Sequence, residues 1–150
     1  MEFITLKDIK YYPNRTKITL HLTEKYRMTG DFDRFSQLLI GKLPGIMLHK
    51  CKNSGKKPVA EELENTETAH ALEHILIELI FLIDTDVERV SGVTAWNWKQ
   101  QPEGTYHINL TYTDKLILEK CLQEGLLLLD KTIVEKTFLP DFGGYRATIA

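Results

Sequence analysis

The sequence predicts an α+β fold, a mostly antiparallel sheet with its helices packed on one face. Short runs rich in β-branched residues come in two pairs, each joined by turn-forming residues. Longer segments with apolar residues at helical spacing separate and follow these pairs. Strands joined by short turns pair antiparallel, and the order β-β-α-α-β-β-α favours helices gathered on one side of the sheet.

The N-terminal part supplies the first strand pair and the first helix. EFITLKDI and TKITLHLT alternate roughly between apolar and polar residues, and Tyr-Pro-Asn-Arg between them favours a turn. From Asp31 the apolar residues fall at helical spacing, until Pro44-Gly45 ends the segment.

The middle of the chain supplies a solvated loop and a long helix. KCKNSGKKP is basic and rich in turn-forming residues, as is typical of a loop. The next helix is expected to start within ELENTETAH, with Asn65 or Thr66 as its N-cap, and to end near Ile83.

The last three elements are two strands and a helix. VERVSGVTAWNW and GTYHINLTY predict strands joined by the turn KQQPEG, and the two tryptophans would face the same side of the first strand. LILEKCLQEGLLLLDKTI predicts an amphipathic helix despite Gly125.

Length and composition narrow the class of protein. The 150 residues predict one domain, residues 1–150, in which residues 134–150 form a C-terminal extension. A hydrophobic content of 43% is ordinary for a soluble protein, and a net charge of -2 gives no general attraction to nucleic acid or membrane. The N-terminus lacks the pattern of a signal peptide, and two cysteines make no disulfide framework, so we expect a cytoplasmic protein. A homo-oligomer is compatible with these data.

The long helix TAHALEHILIELIFLI carries a stripe of titratable residues on an otherwise apolar body. With about 100° per residue, the stripe spans roughly 140° of the helix surface. Its members are Glu67, His70, Glu73, His74 and Glu78. Two interpretations stay open, a metal site or a polar edge without metal.

Within the stripe, His70-Ala71-Leu72-Glu73-His74 forms an H-x-x-E-H pattern. Two imidazoles one helical turn apart can present nitrogens to one Zn²⁺, and the glutamate between them could act as general base. This order, the reverse of H-E-x-x-H, marks the inverzincin peptidases. Glu78, one turn further, is the expected third ligand. Weaker candidates for the third ligand are Cys121, Asp84 and Asp86.

The segment HALEHILIEL resembles the H-[IVL]-[IV]-E-H-[VI]-A-L-E-L helix in the N-terminal domain of cyanophycin synthetases. Leu43-Pro44 followed by His49-x-Cys51 is similar to that domain's L-P-S-L-x-x-H-x-C segment. GVTAWNWKQQPEGTYHINLTY is similar to its next two strands, so the resemblance covers most of residues 1–133.

The resemblance implies a domain that holds an aspartate–arginine polymer and, in some members, cuts it at a metallopeptidase-like site. It implies His70 and His74 as zinc ligands, Glu73 as general base and Glu78 as third ligand. ATP-dependent polymer synthesis belongs to other domains of the full enzymes, so ligase activity is not expected here. Two arginines of the family's G-R-T-R run are missing, since the run reads Gly92-Val93-Thr94-Ala95. Metal chemistry is therefore better supported than this polymer as the substrate.

We expect a metal-dependent, metallopeptidase-like hydrolase of peptide or isopeptide bonds. It would use Zn²⁺ or another divalent metal and take a peptide or an Asp/Arg polymer as substrate, with neither nucleic acid nor membrane as partner. The alternative is a non-catalytic polymer- or peptide-binding accessory module with a vestigial site. A small-molecule lyase is a third hypothesis, because fold and motif do not determine the substrate.

Overall fold

The computed structural model describes residues 3–51 and 55–134, so the predicted C-terminal extension lies outside it apart from Val134. The described residues form a four-stranded sheet, four α-helices and short 3₁₀ helices, none of them long and apolar enough to cross a bilayer. In chain order the main elements are β1 Ile4–Tyr12, β2 Arg15–Leu22, α1 Phe35–Lys42, the 3₁₀ helix Pro44–Leu48, α2 Val59–Glu62, α3 Thr68–Ile83, β3 Gly92–Ala95, β4 Thr105–Leu110 and α4 Lys115–Val134.

The sheet is antiparallel throughout, in the order β1-β2-β4-β3. Side chains alternate along each strand, so one face, here called the inner face, holds the buried residues. From β2 and β4 these are Ile18, Leu20, Leu22, Tyr106, Ile108 and Leu110. They share one hydrophobic core with the buried residues of α3 and α4, which confirms the predicted α+β fold. The outer face carries partly exposed polar residues such as Lys17, Thr19 and His107.

Close packing of α3 against α4 explains the glycine within the last helix. A Cβ atom at Gly125 would lie 3.2 Å from a methyl of Leu76 and 3.3 Å from a methyl of Ile75. Both of these α3 side chains are fully buried. The glycine therefore permits a close approach that holds the apolar side of α3 in the core.

The long helix starts at Thr68, inside the predicted stretch ELENTETAH but beyond the predicted N-caps, because Thr29 binds the backbone just before the helix. The Thr29 hydroxyl donates to the carbonyl of Leu63 and accepts from the N–H of Thr66, both at 2.9 Å. These bonds satisfy backbone groups that a continuous helix would otherwise pair. The prediction of Asn65 or Thr66 as N-cap is wrong: Glu67 occupies that position and makes no side-chain cap hydrogen bond.

Strand β3 is shorter than predicted, and packing of aromatic rings orders the residues after it. The ring centroids of Trp96 and Trp98 lie 5.5 and 5.6 Å from that of buried Tyr106. The indole N–H of Trp98 also donates to the Thr105 carbonyl at 2.9 Å. The two tryptophans therefore share one packing partner, although neither lies in the strand.

Candidate metal centre

The first turns of α3 face the chain segment that follows the 3₁₀ helix. This segment brings the Sγ atom of Cys51 to 3.6 Å from Nε2 of His70. Cys51, His70 and His74 each offer one ligand atom, and these three atoms lie within 4.8 Å of one another. The three residues, here called the Cys-His-His cluster, could together hold a metal ion.

A chain of hydrogen bonds determines which nitrogen of His74 is free to bind a ligand. Glu78 Oε1 lies 2.9 Å from His49 Nε2, and His49 Nδ1 lies 3.0 Å from His74 Nδ1. A carboxylate only accepts, so His49 carries its proton on Nε2 and accepts at Nδ1 from the Nδ1–H of His74. The Nε2 atom of His74 then keeps its lone pair. It is buried and has no hydrogen-bond partner among the described residues.

The same reasoning applies to His70. Its Nδ1 atom lies 3.0 Å from the hydroxyl of Thr66 and 3.8 Å from a carboxylate oxygen of Glu62. The nearby carboxylate favours a proton on Nδ1, which leaves the Nε2 lone pair directed towards Cys51. Both imidazoles of the Cys-His-His cluster therefore present Nε2 as the acceptor.

The electrostatics of His74 suit a ligand rather than a cation. Burial lowers the pKa of His74 to about 3, with smaller contributions from neighbouring His70 and His49. The imidazole is therefore neutral at physiological pH, the form that binds metal. An unpartnered buried acceptor is rare in proteins, and this one belongs to a residue that clusters with a thiol and a second imidazole, so the residues fit a metal ion.

Glu73 lies beside the cluster and faces β3. The hydroxyl of Thr94 donates to its Oε1 at 2.6 Å, and a Cβ atom at Gly92 would lie 2.9 Å from its Cγ and Oε2. Glycine at this position therefore leaves the room that the carboxyl group occupies. Burial raises the pKa of Glu73, against the opposing effects of the Thr94 hydrogen bond and of electrostatic interaction with the His70 and His49 imidazoles. A raised pKa suits a group that accepts a proton near neutral pH.

Glu78 is held away from the cluster in this structure. Its carboxylate packs on Gly45, where a Cβ atom would collide with it, and it accepts a hydrogen bond from His49 Nε2. It reaches His74 only through that second imidazole. Its role as third ligand stays a prediction.

The weaker candidates for the third ligand lie elsewhere. Cys121 is fully buried in the core on α4, and Asp84 accepts a hydrogen bond from Tyr112 at 2.7 Å. Asp86 is exposed beyond the C-terminal end of α3. None of the three belongs to the group of possible metal-binding residues found in the described part of the chain.

His49 and Cys51 were not predicted as site residues. Their spacing was an available signal, because His49 and Cys51 are two residues apart and such residues point to the same side of an extended segment. His49 does have extended backbone angles, with φ of -70° and ψ of 142°. Nothing in the local sequence indicated that this side would face α3.

We expect His49→Ala to weaken zinc binding by about 10–100-fold, because loss of an outer partner leaves the His74 ring free to change tautomer and orientation. One zinc ion per chain would still bind at saturation. Isothermal titration calorimetry measures both quantities. His21→Ala is the matched control, since His21 bonds only the Glu103 carbonyl in the described contacts, on the far side of the sheet. Unchanged affinity would contradict the role of His49, and complete loss of binding would make His49 a ligand.

Comparison with known families places these residues in one recognised domain. Residues 17–134 match the model of the cyanophycin synthase-like N-terminal domain. The match runs from within β2 to the end of α4 and includes the Cys-His-His cluster, His49, Glu73 and Glu78. No curated protein sequence matches the chain.

Proposed function

The chain belongs to the cyanophycin synthase-like N-terminal domain family, and we propose that it is a zinc-dependent hydrolase of peptide or isopeptide bonds. The observation that carries the proposal is the buried, unpartnered Nε2 of His74, a residue that clusters with a thiol and a second imidazole. A structural core histidine would instead be expected to pair both nitrogens.

The donor set favours Zn²⁺ over the hard cations. Thiolate and imidazole ligands suit zinc, whereas Mg²⁺ and Ca²⁺ prefer oxygen. Three protein ligands would leave a fourth position for water or substrate, as catalytic zinc sites require. When bound there, zinc would supply a lowered pKa for water and polarisation of a substrate carbonyl.

Glu73 is the proposed general base. Its carboxylate would take the proton of the attacking water and later deliver it to the leaving nitrogen as the carbon–nitrogen bond breaks. The Thr94 hydroxyl holds Oε1, so Oε2 is the oxygen left to accept that proton. Because burial raises the pKa of Glu73, the carboxyl group is a stronger base than an exposed glutamate.

The absence of the two arginines of the family's G-R-T-R run affects which substrate binds rather than the hydrolytic chemistry. The backbone of Gly92 and the side chain of Thr94 face Glu73, so the side chains of Val93 and Ala95 point to the outer face. Val93 is 63% exposed there. Replacing the two arginines therefore leaves Glu73 and the Cys-His-His cluster untouched but removes charge that could bind polymer carboxylates.

Metal-dependent cleavage tests the proposal directly. Purified protein loaded with zinc is expected to cut a pool of unstructured decapeptides or an Asp/Arg polymer, with products identified by mass spectrometry. A chelator should abolish cleavage and added zinc should restore it. Protein that binds these substrates yet takes up no metal would favour the non-catalytic accessory module instead.

The third ligand can be identified by cobalt substitution. We propose Cys51, because its sulfur lies in the cluster, and expect the Co²⁺-loaded protein to show a thiolate-to-cobalt charge-transfer band. Cys51→Ser should remove the band, and Glu78→Gln should keep it. Cys121→Ser is the control at the other cysteine. A spectrum without a thiolate band that changes in Glu78→Gln would instead establish the carboxylate as the ligand.

A further inference from the structure

Strand β3 forms one edge of the sheet and lies against the candidate site. In the described residues it pairs with β4 on one side only. Its inner face meets α3 at Glu73, through the Thr94 hydroxyl and the close approach of Gly92. The open edge of the sheet is therefore continuous with the proposed reaction centre.

The pairing of β3 with β4 determines which backbone groups stay open. In an antiparallel ladder, residues that exchange backbone hydrogen bonds with the neighbouring strand alternate with residues that do not. The Thr111 N–H donates to the Ser91 carbonyl at 3.0 Å, so Ser91 is one of the residues whose backbone groups bond towards β4. Gly92 and Thr94 consequently direct their N–H and C=O groups away from β4, towards the open edge.

Thr94 therefore has two separate roles. Its side chain holds the carboxylate of Glu73, while its backbone groups face the open edge. A peptide strand paired to the backbone of Thr94 would be separated from the Glu73 carboxylate by little more than the Thr94 side chain. Gly92, the other open residue, has no side chain to obstruct an approaching strand.

The opposite edge of the sheet is protected against such pairing, whereas the described part of the chain shows no such protection at β3. Along β1 the register shifts between Leu6 and Asp8, and charged residues crowd the shift. They are Lys7, Asp8 and Lys10. Irregular, charged edges discourage the addition of another strand. Strand β3, GVTA, carries no charge, and its pairing with β4 is regular.

We propose that β3 is the substrate-docking strand, on which an extended peptide pairs antiparallel or parallel to Gly92 and Thr94 and is thereby laid across Glu73. Addition of a strand gives affinity through backbone hydrogen bonds and leaves side chains to confer specificity. This inference extends the proposed hydrolase function and rests on it, because docking at β3 serves the proposed hydrolysis at Glu73. It identifies the substrate class as peptides with free backbone N–H groups, in extended conformation.

Amide hydrogen exchange resolved by NMR tests this in the full chain. Wild-type protein stripped of metal by a chelator cannot turn over substrate by the proposed mechanism, so it is studied with a pool of random decapeptides. Exchange of the Gly92 and Thr94 amides is expected to slow by about tenfold or more when the pool is added. The same pool with N-methylated backbones should give no protection, because it lacks the donors.

The edge of β1 supplies an internal control. The Thr23 N–H donates to the Phe3 carbonyl, so by the same alternation Leu6 directs its backbone groups outward. The Leu6 amide should exchange rapidly with or without peptide. Protection of Leu6 to the same extent as Thr94 would overturn the assignment to β3.

Other occupants give distinguishable results. Protection of the Gly92 and Thr94 amides without peptide would overturn the proposal. If that protection rises with protein concentration, a second copy of the chain covers the edge. If it does not, the chain's own residues cover it. Equal protection by the N-methylated pool, or none by either pool, would also overturn it. Protection without cleavage by the zinc-loaded protein would keep the docking strand and refute the hydrolase. Cleavage without protection would refute the docking strand and keep the hydrolase.

Discussion

Replacing both His70 and His74 by alanine is expected to abolish stoichiometric zinc binding. Each imidazole presents an Nε2 lone pair to the cluster, and the double variant leaves a single sulfur there. The loss should exceed the roughly 10–100-fold effect of removing an outer partner such as His49, since direct ligands disappear. Metal analysis of dialysed protein should fall from one zinc per chain to a trace.

The control for this double variant is His107→Ala. His107 is also an imidazole in a hydrogen-bonded setting, between Thr19 and Gln101, but on the outer face. It should retain one zinc per chain. Circular dichroism shows whether the double variant still folds, and His74→Gln is a milder second variant if it does not. One zinc per chain in both the His70→Ala, His74→Ala double variant and His74→Gln would contradict the proposed site.

The fold could be predicted because it follows from local patterns. Alternation in the strand runs and helical spacing in the long segments are properties of neighbouring residues. The H-x-x-E-H spacing likewise places His70, Glu73 and His74 on adjacent parts of one helix before any tertiary contact is known. These three residues do lie together.

The remainder of the site depends on contacts between distant segments. Cys51 meets His70 because the 3₁₀ helix after α1 turns the chain back towards α3. Thr94 meets Glu73 because the sheet places β3 under α3. The N-cap of α3 also escaped prediction, since Thr29, from a different part of the chain, binds the backbone before the helix. Local periodicity carries no information about such partners.

Glu73→Gln is expected to stop hydrolysis while leaving the metal in place. A positioned general base contributes typically about 10²–10⁴-fold, and the amide cannot accept the proton. The glutamine is isosteric, and its Oε1 can still accept the hydrogen bond from Thr94. A neutral amide at this site, 5% exposed, also avoids the cost of a buried charge, so the variant should be at least as stable as wild type at pH 7.

Single-turnover cleavage, zinc content and the free energy of unfolding should be measured together on this variant. The matched control is Glu124→Gln, which makes the same change at an exposed position on α4 and should alter none of the three. Undiminished cleavage in Glu73→Gln would exclude Glu73 as the base and leave the metal site standing. Loss of zinc would instead make Glu73 part of the metal-binding set. Lost cleavage with retained zinc and retained stability would place the proton transfer at Glu73, because no loss of folding or of metal could account for it.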